Sequence, residues 1–170
     1  MSTRYRRILV PIDGSPTATR GLDEAIGLCK ATGGSIRVLH VMDDLVFVSG
    51  FESGATYAKD VVPQLRKRSE QLLEAGRKRV EAAGVAADKV LIECFARRTS
   101  EIVCEQAIAW KADLIVVGTH GRRGVRRMML GSDAEQIVRE APVPVLVVRA
   151  PKVAAATPAS VTAPAIAAIA

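Results

Sequence analysis

"ADLIVVGTHGRRGVRRMMLGSDAEQIV", residues 112–138, passes from an unbroken apolar run into a stretch holding four glycines and four arginines, and then into a helical pattern. The run "DLIVVG" (113–118) shows no alternation of polar and apolar residues, the signature of a parallel strand covered by helices on both faces. "SDAE" (132–135) has the spacing of a capping box, and Ala134, Ile137, Val138 and Ala141 follow at helical intervals. A buried strand, a glycine-rich basic loop and a helix therefore form one unit, and the rest of the chain repeats its strand-helix rhythm.

Four further apolar runs read as strands: "RILVPI" (7–12), "SIRVLHV" (35–41), "KVLIECF" (89–95) and "PVLVVR" (144–149). Between them lie helical stripes: Leu22, Ala25, Ile26 and Cys29; Leu65, Leu72, Gly76, Val80 and Ala83; Ile102, Val103, Ala107 and Trp110. Ser15 before Pro16 is an N-cap with proline in the first helical position, and Gly33-Gly34 and Gly84 stand where helices end. Right-handed crossovers between such units predict an α/β fold, a single doubly wound open parallel sheet of five strands with helices on both faces.

Residues 1–150 make one domain, of a size that buries roughly 70% of its unfolded surface. Residues 151–170, "PKVAAATPASVTAPAIAAIA", have a single charge and no amphipathic period and read as a flexible Ala/Pro-rich tail. The connection 42–57, rich in Gly and Ser, is longer than a strand-to-helix turn requires and is either a lid or an unstructured surface segment.

Cys29, Cys94 and Cys104 are odd in number with no C-x-x-C, so neither a disulfide framework nor a zinc site is indicated. The apolar run after Arg7 is too short for a membrane span or a signal-peptide core, which predicts a cytoplasmic protein. Lys and Arg number 24 against 18 Asp and Glu, a net +6, but much of that excess lies in "RKR" at 66–68 and 77–79, on a helix that also carries Glu70, Glu74 and Glu81. With 4% aromatic residues for base stacking and no nucleic-acid-binding signature, nucleic acid is not the expected partner, and the basic balance fits either an anionic ligand or only a soluble surface.

In an open parallel sheet, ligands sit beyond the carboxyl ends of the strands, where two neighbouring loops diverge. The loop after the first strand is "PIDGSP", with Asp13 at a strand end and Gly14 beside it; the other is 118–132. Gly118, Gly121 and Gly131 suit backbone N–H groups turned inward at positive φ, and the helix starting beyond Gly131 offers an anion seat with the Ser132 hydroxyl as an added donor. Asp13 alone also suits a turn-capping role, and Ser132 could be spent on its own helix cap. His120 has no placed partner to orient it as a base, and His40 fits a packed strand residue or a bond to a backbone carbonyl. The loop is neither a P-loop nor a G-x-G-x-x-G turn.

Gly118, Gly121, Gly131 and Ser132 in the spacing G-x2-G-x9-G-[ST], together with "ILVPIDGS", "VLHV", "ADLIVVGTHGRRG", "MLGS" and "PVPVLVVR" in order, resemble the universal stress protein family over residues 5–149. The resemblance implies strand order 3-2-1-4-5 and an ATP-binding branch. It also implies that Asp13 accepts from the ribose hydroxyls, that the backbone of Val41 meets the adenine edge, and that Pro11 and Val117 wall the pocket. Gly118, Gly121, Gly131 and Ser132 would hold the phosphates, with Arg122 and Ala134 close by. Asp133 departs from the family pattern; a carboxylate there either repels a γ-phosphate or helps hold Mg²⁺.

The expected function is a nucleotide-dependent stress-response binding protein holding ATP. Two alternatives use the same pocket: a slow ATP hydrolase or phosphotransferase, and a cyclic AMP binder, which Asp133 would tolerate better than a triphosphate. The last strand, with "VLVV" at Val145 to Val148, is too apolar for an open sheet edge, and the family implies a homodimer through it.

Overall fold

The computed structural model describes residues 5–43, 61–94, 97–119 and 130–149. Most of the 42–57 connection, the arginine loop with His120, Gly121 and Arg122, and the 151–170 segment lie outside these residues. The elements are β1 (Arg7–Pro11), α1 (Pro16–Thr32), β2 (Ser35–Asp43), α2 (Val62–Ala82), β3 (Ala86–Cys94), α3 (Thr99–Ala109), β4 (Leu114–Gly118), α4 (Ser132–Glu140) and β5 (Val145–Val148). The five strands form one sheet in the order β3-β2-β1-β4-β5, every neighbouring pair parallel.

Residue parity sorts the core into two layers. Ile8, Val10 and Ile12 of the first strand region join Ile36, Val38, Leu114 and Val116 on the face covered by α1 and α2. Leu9, Leu39, Ile115 and Val117 point the other way and pack with Val103, Ala107, Ala134 and Ile137 from α3 and α4. Successive strand side chains alternate in direction, so burial on both faces requires the unbroken apolar runs seen in the sequence. Each fully buried Ile, Leu or Val adds about 1.5–3 kcal/mol of transfer free energy.

Local signals set the helix ends. The Ser15 hydroxyl accepts from the Ala18 N–H at 3.2 Å, with Pro16 in the first turn, and α1 stops at Gly33, whose φ of 68° is the left-handed conformation that favours glycine. At the amino edge of the sheet, the Asp113 carboxylate accepts from the N–H groups of Arg6 (2.8 Å) and Arg7 (3.0 Å), tying the start of β1 to the start of β4. Trp110, which ends α3, lies under the guanidinium groups of Arg7 and Arg37, 4.7 and 4.9 Å from its ring centroid.

Two packing expectations are corrected. On α2 the most deeply buried leucine is Leu73, absent from the expected stripe, beside Ser69, Gly76 and Val80; Leu72 and Ala83 are partly buried against the same core, and Gly76 lies close over Ile12 and Val38. On α4, Val138 is 47% exposed; only Ala134 and Ile137 of its stripe are buried, since the nine-residue helix presents a narrow face. The basic clusters of α2 form a solvated, ion-paired surface: Arg77 joins Glu74 and Glu81, Arg79 meets Asp23 at 2.7 Å, Arg66 meets Glu93, and Lys89 meets Glu74 at 2.6 Å. All three cysteines are free thiols, and burial pushes Cys29 up to about 11, helped by the nearby Asp113 charge.

Candidate functional site

The site follows from where β1 parts from β4. With β2, β1 pairs along its whole length to Pro11↔Leu39; with β4 it pairs only at Ile8↔Leu114 and Leu9↔Ile115. Pro11 has no N–H with which to continue the ladder, so the carboxyl ends of β1 and β4 diverge at the point where strand order reverses. Pro11 is the last residue of β1 and Val117 the last but one of β4.

Beyond Pro11 the chain is pinned. The Ile12 N–H donates to the Leu39 carbonyl at 2.8 Å, and the buried His40 Nδ1 lies 2.7 Å from the Ile12 carbonyl oxygen, which makes Nδ1 the protonated nitrogen. Half-buried Asp13 then accepts from the Ser15 N–H at 2.9 Å. The turn-capping role of Asp13 is thus present, and it fixes one carboxylate oxygen on the turn after β1. Val41, half-buried near the end of β2, packs on the α3 and α4 side of the sheet.

Across the crevice, the buried Thr119 donates its N–H to the Val148 carbonyl (2.9 Å) and accepts from the Gly131 N–H (2.8 Å). The loop between them therefore leaves and returns at one place. Helix α4 opens with the N–H groups of Ser132, Asp133 and Ala134, which have no carbonyl one turn behind them within the helix. They concentrate a partial positive charge at the crevice, and Asp133 and Glu135 in the first turn complement it.

Three expectations about this loop change. The capping box does not form: Gly131 is the N-cap residue, Ser132 is already helical, and the Glu135 N–H is taken by the Gly131 carbonyl at 2.9 Å. The Ser132 hydroxyl takes no part in the cap and is exposed. Positive φ is not what Gly118 and Gly131 supply, since Gly131 has φ −62° and the positive-φ glycines among the described residues are Gly14, Gly33 and Gly84. Gly118 is required by packing: a Cβ there would lie 2.8 Å from the Thr17 carbonyl carbon and 2.9 Å from the Ala18 nitrogen, so glycine lets β4 touch the first turn of α1.

Sequence reasoning missed Ser100. It is 1% exposed in the first turn of α3, and its hydroxyl is the one buried side-chain polar atom among the described residues that has no hydrogen-bond partner. The signal available was a hydroxyl residue three positions before Val103 and seven before Ala107, on the buried stripe.

This architecture defines a doubly wound α/β protein whose strand order reverses between β1 and β4, with Asp13 just beyond the first of these strands and a helix N-terminus beyond the second. The sequence model of the Universal stress protein family matches residues 4–149. A universal stress protein of Methanocaldococcus jannaschii is 34% identical over 148 residues, 87% of this chain and 84% of that protein. The chain belongs to the universal stress protein family. Among solved structures, the universal stress protein UspA from Lactobacillus plantarum superposes with a TM-score of 0.72 at 23% identity, over 86% of this chain and 99% of that one. That of Archaeoglobus fulgidus in complex with dAMP gives 0.60 at 21% identity, over 85% of this chain and 98% of that one. A universal stress protein in complex with cAMP gives 0.61 at 22% identity, over 86% and 98%.

Proposed function

We propose that this chain is an adenine-nucleotide-binding regulatory protein of its family, holding ATP in the crevice between β1 and β4 and acting through its loaded and empty states. The observation that carries the reading is the early end of the β1–β4 ladder. It leaves the carboxyl ends of β1 and β4 unpaired with each other, and Asp13 follows the first strand while α4 follows the second, so a slot between them would have a carboxylate on one side and a helix N-terminus on the other. A ribose diol suits a carboxylate acceptor, and phosphates suit unpaired backbone N–H groups at a helix start. Gly118, Gly131, Ser132 and Ala134, with Gly121 and Arg122 from the loop, would hold the phosphates; Pro11, Val41 and Val117 would receive the base. The nucleotide complexes of related folds are compatible with this assignment.

A second reading, a nucleotide with one phosphate such as cyclic AMP, is favoured by Asp133. Its exposed carboxylate in the first turn of α4 opposes additional negative charge unless Mg²⁺ intervenes. Denaturing freshly purified protein and identifying the released nucleotide by chromatography and mass tests both readings. Recovery of ATP supports the first and cyclic AMP or AMP the second. Protein that carries no nucleotide and binds none of the three in calorimetry overturns both.

We further propose a homodimer through β5. It is an edge strand of Val and Leu residues with Leu146 38% exposed, an arrangement that a second copy would cover.

A further inference from the structure

We propose that the outer face of α2 is a docking surface for an acidic helix of another protein. The sequence of α2 repeats itself: "RKRSE" at 66–70 returns as "RKRVE" at 77–81, eleven residues later. Eleven residues are three turns plus about 20°, so corresponding members of the two segments stand nearly above one another, about 16 Å apart.

The fold uses the two segments alike. The leading arginine of each is ion-paired on the β3 flank: Arg66 with Glu93 of β3, and Arg77 with Glu74 and Glu81, Glu74 also meeting Lys89 of β3 at 2.6 Å. The fourth residues, Ser69 and Val80, are buried. On the α1 flank Arg79 meets Asp23 at 2.7 Å. The central lysine of each segment is left over. Lys67 and Lys78, together with Arg68, are exposed and have no ion-pair partner among the described residues.

At about 100° per residue, Lys67, Lys78 and Arg68 fall within an arc of roughly 100° that holds no carboxylate, with exposed Gln71, Ala75 and Ala82 between them. Glu70, Glu74 and Glu81 line up beside this arc on the side toward β3, which limits the positive stripe to the width of one helix.

That pattern selects the partner. Cations on a stripe one helix wide complement a row of carboxylates on a partner helix at the same three-turn spacing, and the small Ala75 and Ala82 let the two backbones approach. A nucleic acid duplex or a bilayer is broader than the stripe and would lay its phosphates over the glutamate row as well. The arc also has no ring on which bases could stack and no large apolar side chain to enter a bilayer.

The test is fluorescence anisotropy with the full chain and two labelled alanine-rich helical peptides of one composition. One carries two Glu-Glu pairs eleven residues apart; the other carries them nine apart, on opposite faces. The first should bind, several-fold more weakly when salt rises from about 50 to 200 mM, and the second should bind at least about threefold less tightly. Lys67→Gln combined with Lys78→Gln should weaken the first peptide about three- to thirtyfold, since two exposed pairs are lost. Lys30→Gln combined with Lys111→Gln removes the same charge from exposed positions elsewhere and should leave binding unchanged. No binding by wild type, equal affinity for the two peptides, or an equal loss in the control pair overturns the inference. So does a DNA duplex or a phosphatidylserine vesicle that binds more tightly than the peptide and is released by Lys67→Gln with Lys78→Gln, an outcome that would assign the stripe to that partner instead.

Discussion

His40 and Ile12 are joined across two strands: the imidazole Nδ1–H of one lies 2.7 Å from the carbonyl oxygen of the other, in a region closed to water. That carbonyl belongs to the peptide that leads into Asp13, so the bond sets the direction in which the chain leaves β1. His40→Leu removes the donor and leaves a buried carbonyl, and should cost about 1–3 kcal/mol in urea unfolding. His40→Asn keeps an N–H donor at a similar reach and should restore part of that loss. Equal stability of the leucine variant and wild type would contradict this account.

Asp13 has an observed role in its turn and a proposed one toward ribose, and substitution can separate them. Asn preserves the acceptor that the Ser15 N–H uses, while Ala removes it. Asp13→Ala should weaken ATP roughly ten- to a hundredfold, the value of a hydrogen bond to a charged acceptor, and also lower the melting temperature. Asp13→Asn should keep the melting temperature and lose much of the affinity. Calorimetry paired with thermal melts distinguishes them, and unchanged affinity in both variants rejects the ribose role.

Gly118 and Gly131 should separate in the opposite sense. Gly118→Ala drives a methyl group into the backbone of Thr17 and Ala18 and should destabilise the fold by about 1–3 kcal/mol whether or not ligand is present. Gly131 has backbone angles open to alanine, so Gly131→Ala should cost about 1 kcal/mol or less as a weakened N-cap. Chemical denaturation of the two variants, side by side, checks the difference.

Glu74 carries the acid sensitivity of the α2 surface. Hydrogen bonds from Arg77 and then Lys89 hold its carboxyl at about 2, against an ordinary 4.5. The folded value lies below the unfolded one, so the stabilisation is complete above about 4.5 and disappears as pH falls toward 2. Glu74→Gln should flatten the dependence of melting temperature on pH within that window and leave it unaltered near neutrality, apart from a small constant offset. An unaltered acid slope in the variant would show that other carboxylates dominate.

Leu146 tests the edge. Leu146→Lys on β5 places a charge on the exposed side of the outer strand and should convert a dimer to a monomer in light-scattering chromatography. A wild-type chain that is monomeric at all concentrations would remove the dimer from consideration.

Much of the fold was legible because its causes are local. Unbroken apolar runs mark parallel strands, and Ser15-Pro16 and Gly33 set the ends of α1 through their own backbone preferences. His40 bonding a carbonyl was within reach of the sequence too, as a polar residue inside a strand covered on both faces must find a partner. The site was expected at a pair of loops, and the strand order that singles out those loops is the one observed. Its details were not legible.

The apolar pattern and turn chemistry of this chain determine by themselves that it makes five parallel strands with helices on both faces, because each residue's contribution depends on neighbours within a few positions. Only the tertiary structure decides that Gly118 exists for its contact with Thr17 and Ala18, that Leu73 is buried more deeply than Leu72, and that Ser100 is sealed without a partner. Each of those depends on how closely two elements distant in the chain approach, and that distance is set by close packing of the whole core rather than by any local preference.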